Sequence, residues 1–273
     1  MNALPDSSIA SLVDVQSQAD PRQVAIQQVG VRGVRHPVRV AADAGAAQET
    51  VARWTLTVAL PAEKKATHMS RFMELLAAHR HEAMKPARLC AMAESMLDLL
   101  QAGAGDITVD FPYFIDKAAP MTGARSLMDY QVGWEAHARQ GRRTDFSLRV
   151  VVPVTSLCPC SKAISRYGAH NQRSQVTVRL DYAAAPALDL DRLIGDIEAC
   201  GSSQLWGLLK RADEKFVTEQ AYENPKFVED LVRDVAIGLR RLSGVTAFEV
   251  AVENFESIHN HSAYAVVRGG PQA

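Results

Sequence analysis

Apolar positions recur along most of the chain, and their spacing switches between two and three-to-four residues at defined points. Trp54, Leu56, Val58 and Leu60 fall on one side of an extended segment, the pattern of a half-buried strand over 53–60. Met69, Phe72, Met73 and Leu76 then recur at helical spacing. A second helix is predicted after Pro86, with Leu89, Met92, Ala93, Met96 and Leu100 as its stripe and Gly103 as its terminator. Three alternating runs follow. Ile107, Val109, Phe111 and Tyr113 make the first; Met128, Tyr130, Val132, Trp134 and Ala136 the second; Phe146, Leu148, Val150, Val152 and Val154 the third. Gly141 with Arg142-Arg143 reads as the turn before the last.

After residue 155 the order recurs. Val176, Val178 and Leu180 form a strand, and Leu190, Leu193, Ile194 and Ile197 begin a helical region running irregularly toward Leu209. Asn224-Pro225 reads as the N-cap and first-turn proline of another helix. Its stripe is Phe227, Val228, Leu231, Val235 and Leu239, and Gly244 closes it. Phe248, Val250 and Val252 alternate again, and 264–267 ends the fold. Both halves read strand, helix, helix, strand, with no obvious sequence identity between them. The expectation is an α+β chain, with helices on one face of an antiparallel sheet. We divide it into an N-terminal arm and lead-in over 1–49, mobile for about the first 20 residues, a first unit over 50–157 and a second over 158–273.

Composition narrows the class. The 273 residues allow one large domain or two modest ones. Hydrophobic residues make up 47% and charged residues 22%, ordinary for a soluble globular protein. Thirty basic against 31 acidic residues leave a net charge of -1, which excludes a general affinity for nucleic acid or an anionic membrane. A polyanionic ligand must therefore meet a local basic cluster. Residues 1–20 lack a basic stretch followed by an apolar run, so no signal peptide is expected. No run approaches the roughly 18 apolar residues of a membrane span. Four cysteines, Cys90, Cys158, Cys160 and Cys200, are too few for a disulfide scaffold, and we expect a cytoplasmic protein with reduced thiols.

The densest chemistry lies in Pro153-Val154-Thr155-Ser156-Leu157-Cys158-Pro159-Cys160-Ser161-Lys162 and its continuation to His170-Asn171-Gln172-Arg173. Thiol and imidazole together suit a borderline-soft divalent metal. Lys162, Arg166 and Arg173 make the surroundings cationic, which favours thiolate and a phosphate-bearing substrate. The plain alternative is a structural Cys-x-Cys loop. A structural zinc knuckle needs a second ligand pair, and Cys90 and Cys200 sit on apolar helical patterns, where they read as core. Further ligands have two sources. One is Lys210-Arg211-Ala212-Asp213-Glu214-Lys215, otherwise a solvated loop. The other is the segment 253–261, where His259 and His261 share a face if extended.

At these residues the chain resembles the type IB GTP cyclohydrolases of bacterial and archaeal pterin biosynthesis. The resemblance runs through Asp14-Val15-Gln16-Ser17-Gln18, Thr67-His68-Met69-Ser70-Arg71-Phe72, Cys158-Pro159-Cys160-Ser161-Lys162, Gly168-Ala169-His170-Asn171-Gln172-Arg173, the segment from Tyr222 to Asp230, and Phe255-Glu256-Ser257-Ile258-His259. It implies a tunnelling fold of two tandem ββααββ-like units, and a homotetramer with active sites at subunit contacts. It also implies conversion of GTP and water to 7,8-dihydroneopterin triphosphate and formate. Cys158, His170 and His259 would then be metal ligands, with Glu214 as a further or alternative ligand and zinc, manganese or iron as the ion. Glu229 would hold the guanine through N1–H and the 2-amino group, although an acid in a helix's first turn is also favoured by the helix dipole. Triphosphate binding would draw on Lys162, Arg166 and Arg173, with His68, Ser70 and Arg71 contributing. Two other functions stay in view. One is a tunnelling-fold nitrile reductase with a cysteine nucleophile and NADPH; the other is a non-enzymatic purine or pterin binding module.

Overall fold

The computed structural model describes residues 14, 16, 18–41 and 47–270. In chain order its elements are β1 (Ile26–Val40), β2 (Gln48–Leu60), α1 (Met69–His79), β3 (Ala83–Met84), α2 (Pro86–Leu100), β4 (Ala104–Ala118), β5 (Arg125–Arg139), β6 (Asp145–Leu157), α3 (Pro159–Ile164), β7 (Asn171–Tyr182), α4 (Leu190–Glu198), α5 (Arg211–Glu223), α6 (Val228–Leu239), β8 (Val245–Asn254) and β9 (Ala263–Gly269). The strands form one sheet in the order β3-β1-β2-β4-β5-β6-β7-β8-β9. Every pairing is antiparallel except that of the two-residue β3 with β1. The expected α+β class is what forms: α2 packs across β4 and β5, α4 on β6, and α6 on β8 and β9.

Alternation along the strands decides which face is covered. Trp54, Phe111, Trp134 and Phe146 turn toward the helices and are almost wholly buried. Phe111 meets Trp134 edge-on at 5.1 Å, and Trp134 meets Phe146 at 6.1 Å, so an aromatic seam crosses three strands. Each such side chain contributes about 1.5–3 kcal/mol by leaving water. The buried residues of both halves form one cluster, and the two ββααββ series share one sheet. The second series begins with β6, at Asp145, inside the expected first unit.

Several local expectations are corrected. The lead-in expected over 1–49 contains β1, which pairs with β2 along its length. Of the expected mobile arm, 1–13, 15 and 17 lie outside the described residues. Residues 18–20 are tied down: Ala19 bridges Lys64, and the Asp20 amide donates to the Glu63 carbonyl at 2.9 Å. Gly103 does not terminate α2; Gln101 takes the left-handed position, at φ 51°. The helical region toward Leu209 stops at Glu198, and the charged stretch from Lys210 is not a loop but the start of α5. Asn224-Pro225 does not open α6. Asn224 caps the end of α5, and α6 starts after Phe227, whose amide donates to Asp230 Oδ2 at 3.0 Å.

Candidate functional site

Strand direction determines which expected site residues can meet. Adjacent strands run in opposite directions, so β6 and β8 finish at one edge of the sheet and β2 finishes at the other. Cys158 follows β6, His170 precedes β7, and His259 lies in the turn between β8 and β9. All three therefore emerge at one edge.

Their surroundings are specific. The Cys158 amide donates to the His170 carbonyl at 3.1 Å, clamping the ends of the loop between them. Cys158 caps α3, and its Sγ accepts from the Ser161 amide at 3.4 Å. His170 Nδ1 lies 3.0 Å from Gln172 Oε1 and 3.9 Å from Glu256 Oε2. The Gln172 amide nitrogen is committed to Ser156 Oγ at 2.9 Å, so its oxygen faces the ring. A ring that carries its proton on Nδ1 donates to that oxygen and leaves Nε2 free for a ligand. Behind it, Ser156, Ser174 and Asn254 form a buried hydrogen-bonded chain with links of 2.8 and 2.7 Å. The His259 ring stands 6.3 Å from that of His170 and stacks on His261 at 5.3 Å.

The donor types, one thiol and two imidazoles, suit a divalent ion. Among the described residues, however, no three His, Cys, Asp or Glu side chains are close enough together to hold one. Glu214 stands apart. The preceding Asp213 is fully buried and pins the start of α5 to the β4–β5 turn, accepting from the Met121, Thr122 and Lys210 amides and the Thr122 hydroxyl at 2.7–2.9 Å. Burial pushes its carboxyl pKa up, but those donors together outweigh it and hold the carboxyl well below the usual range. The far end of α5 lies beside α3, where Lys162 donates to the Tyr222 carbonyl and sits over the Tyr222 ring at 4.2 Å. Glu214 is thus most of a helix length, roughly 12 Å along α5, from the Tyr222 contact with α3.

Glu229 is on the Cys158 side. The Lys226 amide donates to the Leu157 carbonyl at 3.0 Å, which fastens the start of α6 to the end of β6. Glu229 follows in the first turn, exposed and without an ion pair among the described residues. Arg166 and Arg173 are also exposed at this edge, while Lys162 is engaged with α5. His68, Ser70 and Arg71 start α1, beyond the end of β2, at the opposite edge. There Asp14, Gln16, Lys64, Thr67, His68 and Arg71 line a cleft of about 290 Å³. His68 Nε2 lies 3.5 Å from Asp14, and Arg71 donates to the Leu99 carbonyl at 2.9 Å. Strands of this length separate the two edges by about 40 Å. Glu256 and Gln172, both against His170, carried no assigned role in the sequence. Glu256 is one of two acids in the 253–261 segment, and it is the one that lies past the end of β8, in the turn with His259.

Comparison with known proteins follows the same lines. Residues 12–265 match the family described as Type I GTP cyclohydrolase folE2. Proteins named GTP cyclohydrolase FolE2 from Bordetella petrii and Bordetella pertussis are 61% and 60% identical over 269 residues, covering 98% of this chain and 100% of theirs. That of Paraburkholderia xenovorans is 55% identical over 260 residues, covering 95% of this chain and 96% of its own. Among solved structures, uricase from Arthrobacter globiformis superposes with a TM-score of 0.50 at 9% identity, covering 90% of this chain and 93% of its own. A hyper-thermostable AgUricase mutant gives 0.52 at 8% identity, with 90% and 92% covered. These likenesses speak for the fold alone, the tunnelling fold of the urate oxidases.

Proposed function

The chain belongs to the type I GTP cyclohydrolase FolE2 family, and from that premise we propose that its Cys158 edge opens the imidazole ring of GTP with water, yielding formate and 7,8-dihydroneopterin triphosphate. The family catalyses the first step of pterin and folate biosynthesis, which sets aside the nitrile reductase and the non-enzymatic binding module. The observation that supports the site assignment is that Cys158, His170 and His259 emerge at one sheet edge, Cys158 bonded to His170 through the backbone and the two imidazoles 6.3 Å apart, with the start of α6 that carries Glu229 fastened there through Lys226.

In this reading Cys158, His170 and His259 hold one divalent ion, zinc, manganese or iron, with Glu214 as a further ligand. Held there, such an ion would supply the chemistry of lowering the pKa of a water from 15.7 to about 7, making it nucleophilic enough for C8 of the purine. Gln172 orients the His170 ring. Glu229 accepts the guanine N1–H and 2-amino donors, a pairing that adenine cannot offer. Arg166 and Arg173 meet phosphate oxygens, and Lys162 joins them on release from Tyr222.

The chain assembles as a homotetramer in which the Cys158 edge of one copy is completed by the 67–71 segment of another. Two observations support this. His68, Ser70 and Arg71 stand about 40 Å from Cys158 within one chain, beyond the reach of one GTP. Around the Cys158 edge, Ile164 and Tyr167 are 84% and 98% exposed, apolar surface that a second copy would cover. Glu214 reaches a metal in the same way, from another copy. None of the described helices is long and apolar enough to cross a membrane. The cysteines are free thiols, in keeping with the cytoplasm.

The test is direct. The metal-reconstituted protein, incubated with GTP, should release formate and a pterin triphosphate in equal amounts. GTP recovered intact, with metal bound, would overturn the reading.

A further inference from the structure

On the face of the sheet turned away from the helices, four carboxylates of β4, β5 and β7 are taken by cations. Asp106 is held by His137 at 3.0 Å and Arg139 at 3.2 Å. Arg179 holds Glu135 and Asp181, each at 3.1 Å. Asp110 is held at 2.5 Å by Arg149, which reaches it across Gly133; a Cβ there would lie 2.7 Å from Asp110 Oδ1. Arg32, Arg35 and Arg53 differ. None has an ion-pair partner among the described residues, although Arg53 stands directly opposite Asp110.

Arg35 also stands directly opposite Arg53, a like-charge pairing that destabilises a bare sheet. A bulge places it there. The β1–β2 register shifts between Arg32 and Val34, with Gly33 as the extra residue at φ 75°. By simple alternation Arg32 and Arg35 would point to opposite faces; the bulge re-aims them to the same one. Arg32 lies opposite Thr55, Arg35 opposite Arg53. The groove they line has compartments of about 400 and about 670 Å³ that share Arg53 and Asp110, and Thr55, Thr57 and Thr108 line the larger.

We propose that this groove is a second oxyanion site, which binds a phosphate-bearing small molecule between Arg35 and Arg53 with Arg32 alongside. Two opposed guanidinium forks match a tetrahedral oxyanion, which presents oxygens to both; a lone carboxylate is satisfied by one fork. Asp106 and Asp110 do not cancel the charge, because each already has its own cation. The site is separate from the GTP site: Arg149, in register with Asp110 across Gly133, is roughly 25 Å along β6 from Leu157.

Calorimetric titration of the metal-loaded protein with inorganic pyrophosphate tests this. The double variant Arg35→Gln/Arg53→Gln should bind at least about tenfold more weakly, the effect of losing one charge-assisted bond. Its circular dichroism, sedimentation and GTP turnover should match the wild type, and Lys162→Gln should leave the binding in place. If the double variant does not fold, Arg35→Gln alone, on the exposed side of β1, should show the same loss. The proposal is overturned if wild type binds no pyrophosphate at millimolar concentration, if the arginine variants bind it undiminished, or if binding disappears in Lys162→Gln. It is overturned too if the arginine variants fall out of assembly with pyrophosphate binding untouched, since the arginines then meet an acidic side chain of another copy.

Discussion

His137 should make stability depend on pH in the alkaline range. It sits on β5 with Asp106 3.0 Å from Nδ1 and Glu135 3.5 Å from Nε2. Hydrogen bonds to Asp106 and then Glu135 hold its pKa up at about 9, against 6.5 ordinarily, and the same bonds hold both carboxyls down at about 2. Because the folded pKa is raised, the stabilisation is whole below about pH 6.5 and is lost as pH rises through about 9. The shift corresponds to about 3 kcal/mol at 1.36 kcal/mol per unit. About a third of the side chain is open to water, and screening brings the figure to about 1–2 kcal/mol. His137→Gln should therefore cost about 1–2 kcal/mol at pH 6 and little at pH 10, and should flatten the wild-type decline between them. Urea unfolding at both pH values, with m compared, measures it. An equal loss at pH 6 and pH 10 would refute the reasoning, because it would reflect packing and not the charge on the ring.

Three further outcomes are expected. Cys158→Ala should abolish formate release and lower bound metal while keeping the circular dichroism of the wild type; full metal and full rate would show the ligand to be elsewhere. Glu229→Gln should lower kcat/KM for GTP at least about tenfold, because one acceptor becomes a donor facing a donor, with metal content and assembly intact. Wild-type kinetics would leave Glu229 as a helix-dipole partner only. Gly133→Ala should change stability by less than about 1 kcal/mol, because only the half-exposed ends of Asp110 and Arg149 must shift while the strand gains a stiffer residue; a urea midpoint lowered by the equivalent of about 2 kcal/mol or more would show that the pair cannot move aside.

What was legible in the sequence followed periodicity. β2, β4, β5, β6 and β8 carry uninterrupted alternation, and α2 and α6 carry apolar stripes, so each was readable, although β2 starts at Gln48 and not at 53; of the stripe expected in α1, Phe72 and Leu76 are buried while Met69 and Met73 are exposed. β1 was not, because Arg32, Gly33 and Arg35 break its alternation at the bulge. α5 was not, because its buried residues are only Asp213 and Ala221; a polar anchor holds it in place of an apolar stripe. Asn224-Pro225 was misread because the same dipeptide serves one helix's end or the next one's start. At the site, Cys158 and His170 were legible because a β-hairpin loop holds them, a local fact.

Element types, the face each strand buries and the residue chemistry are encoded locally, since they depend on neighbours two to four positions away. The tertiary structure decided which chemistry is shared. Alternating strand direction sends the ends of β6 and β8 to one edge, where Cys158, His170 and His259 emerge, and the end of β2 to the other, parting them from His68 and Arg71. It also decided that Asp110 is held by Arg149 across Gly133 and not by Arg53 opposite. Such outcomes depend on register and strand order between residues far apart in sequence, and no local periodicity encodes those.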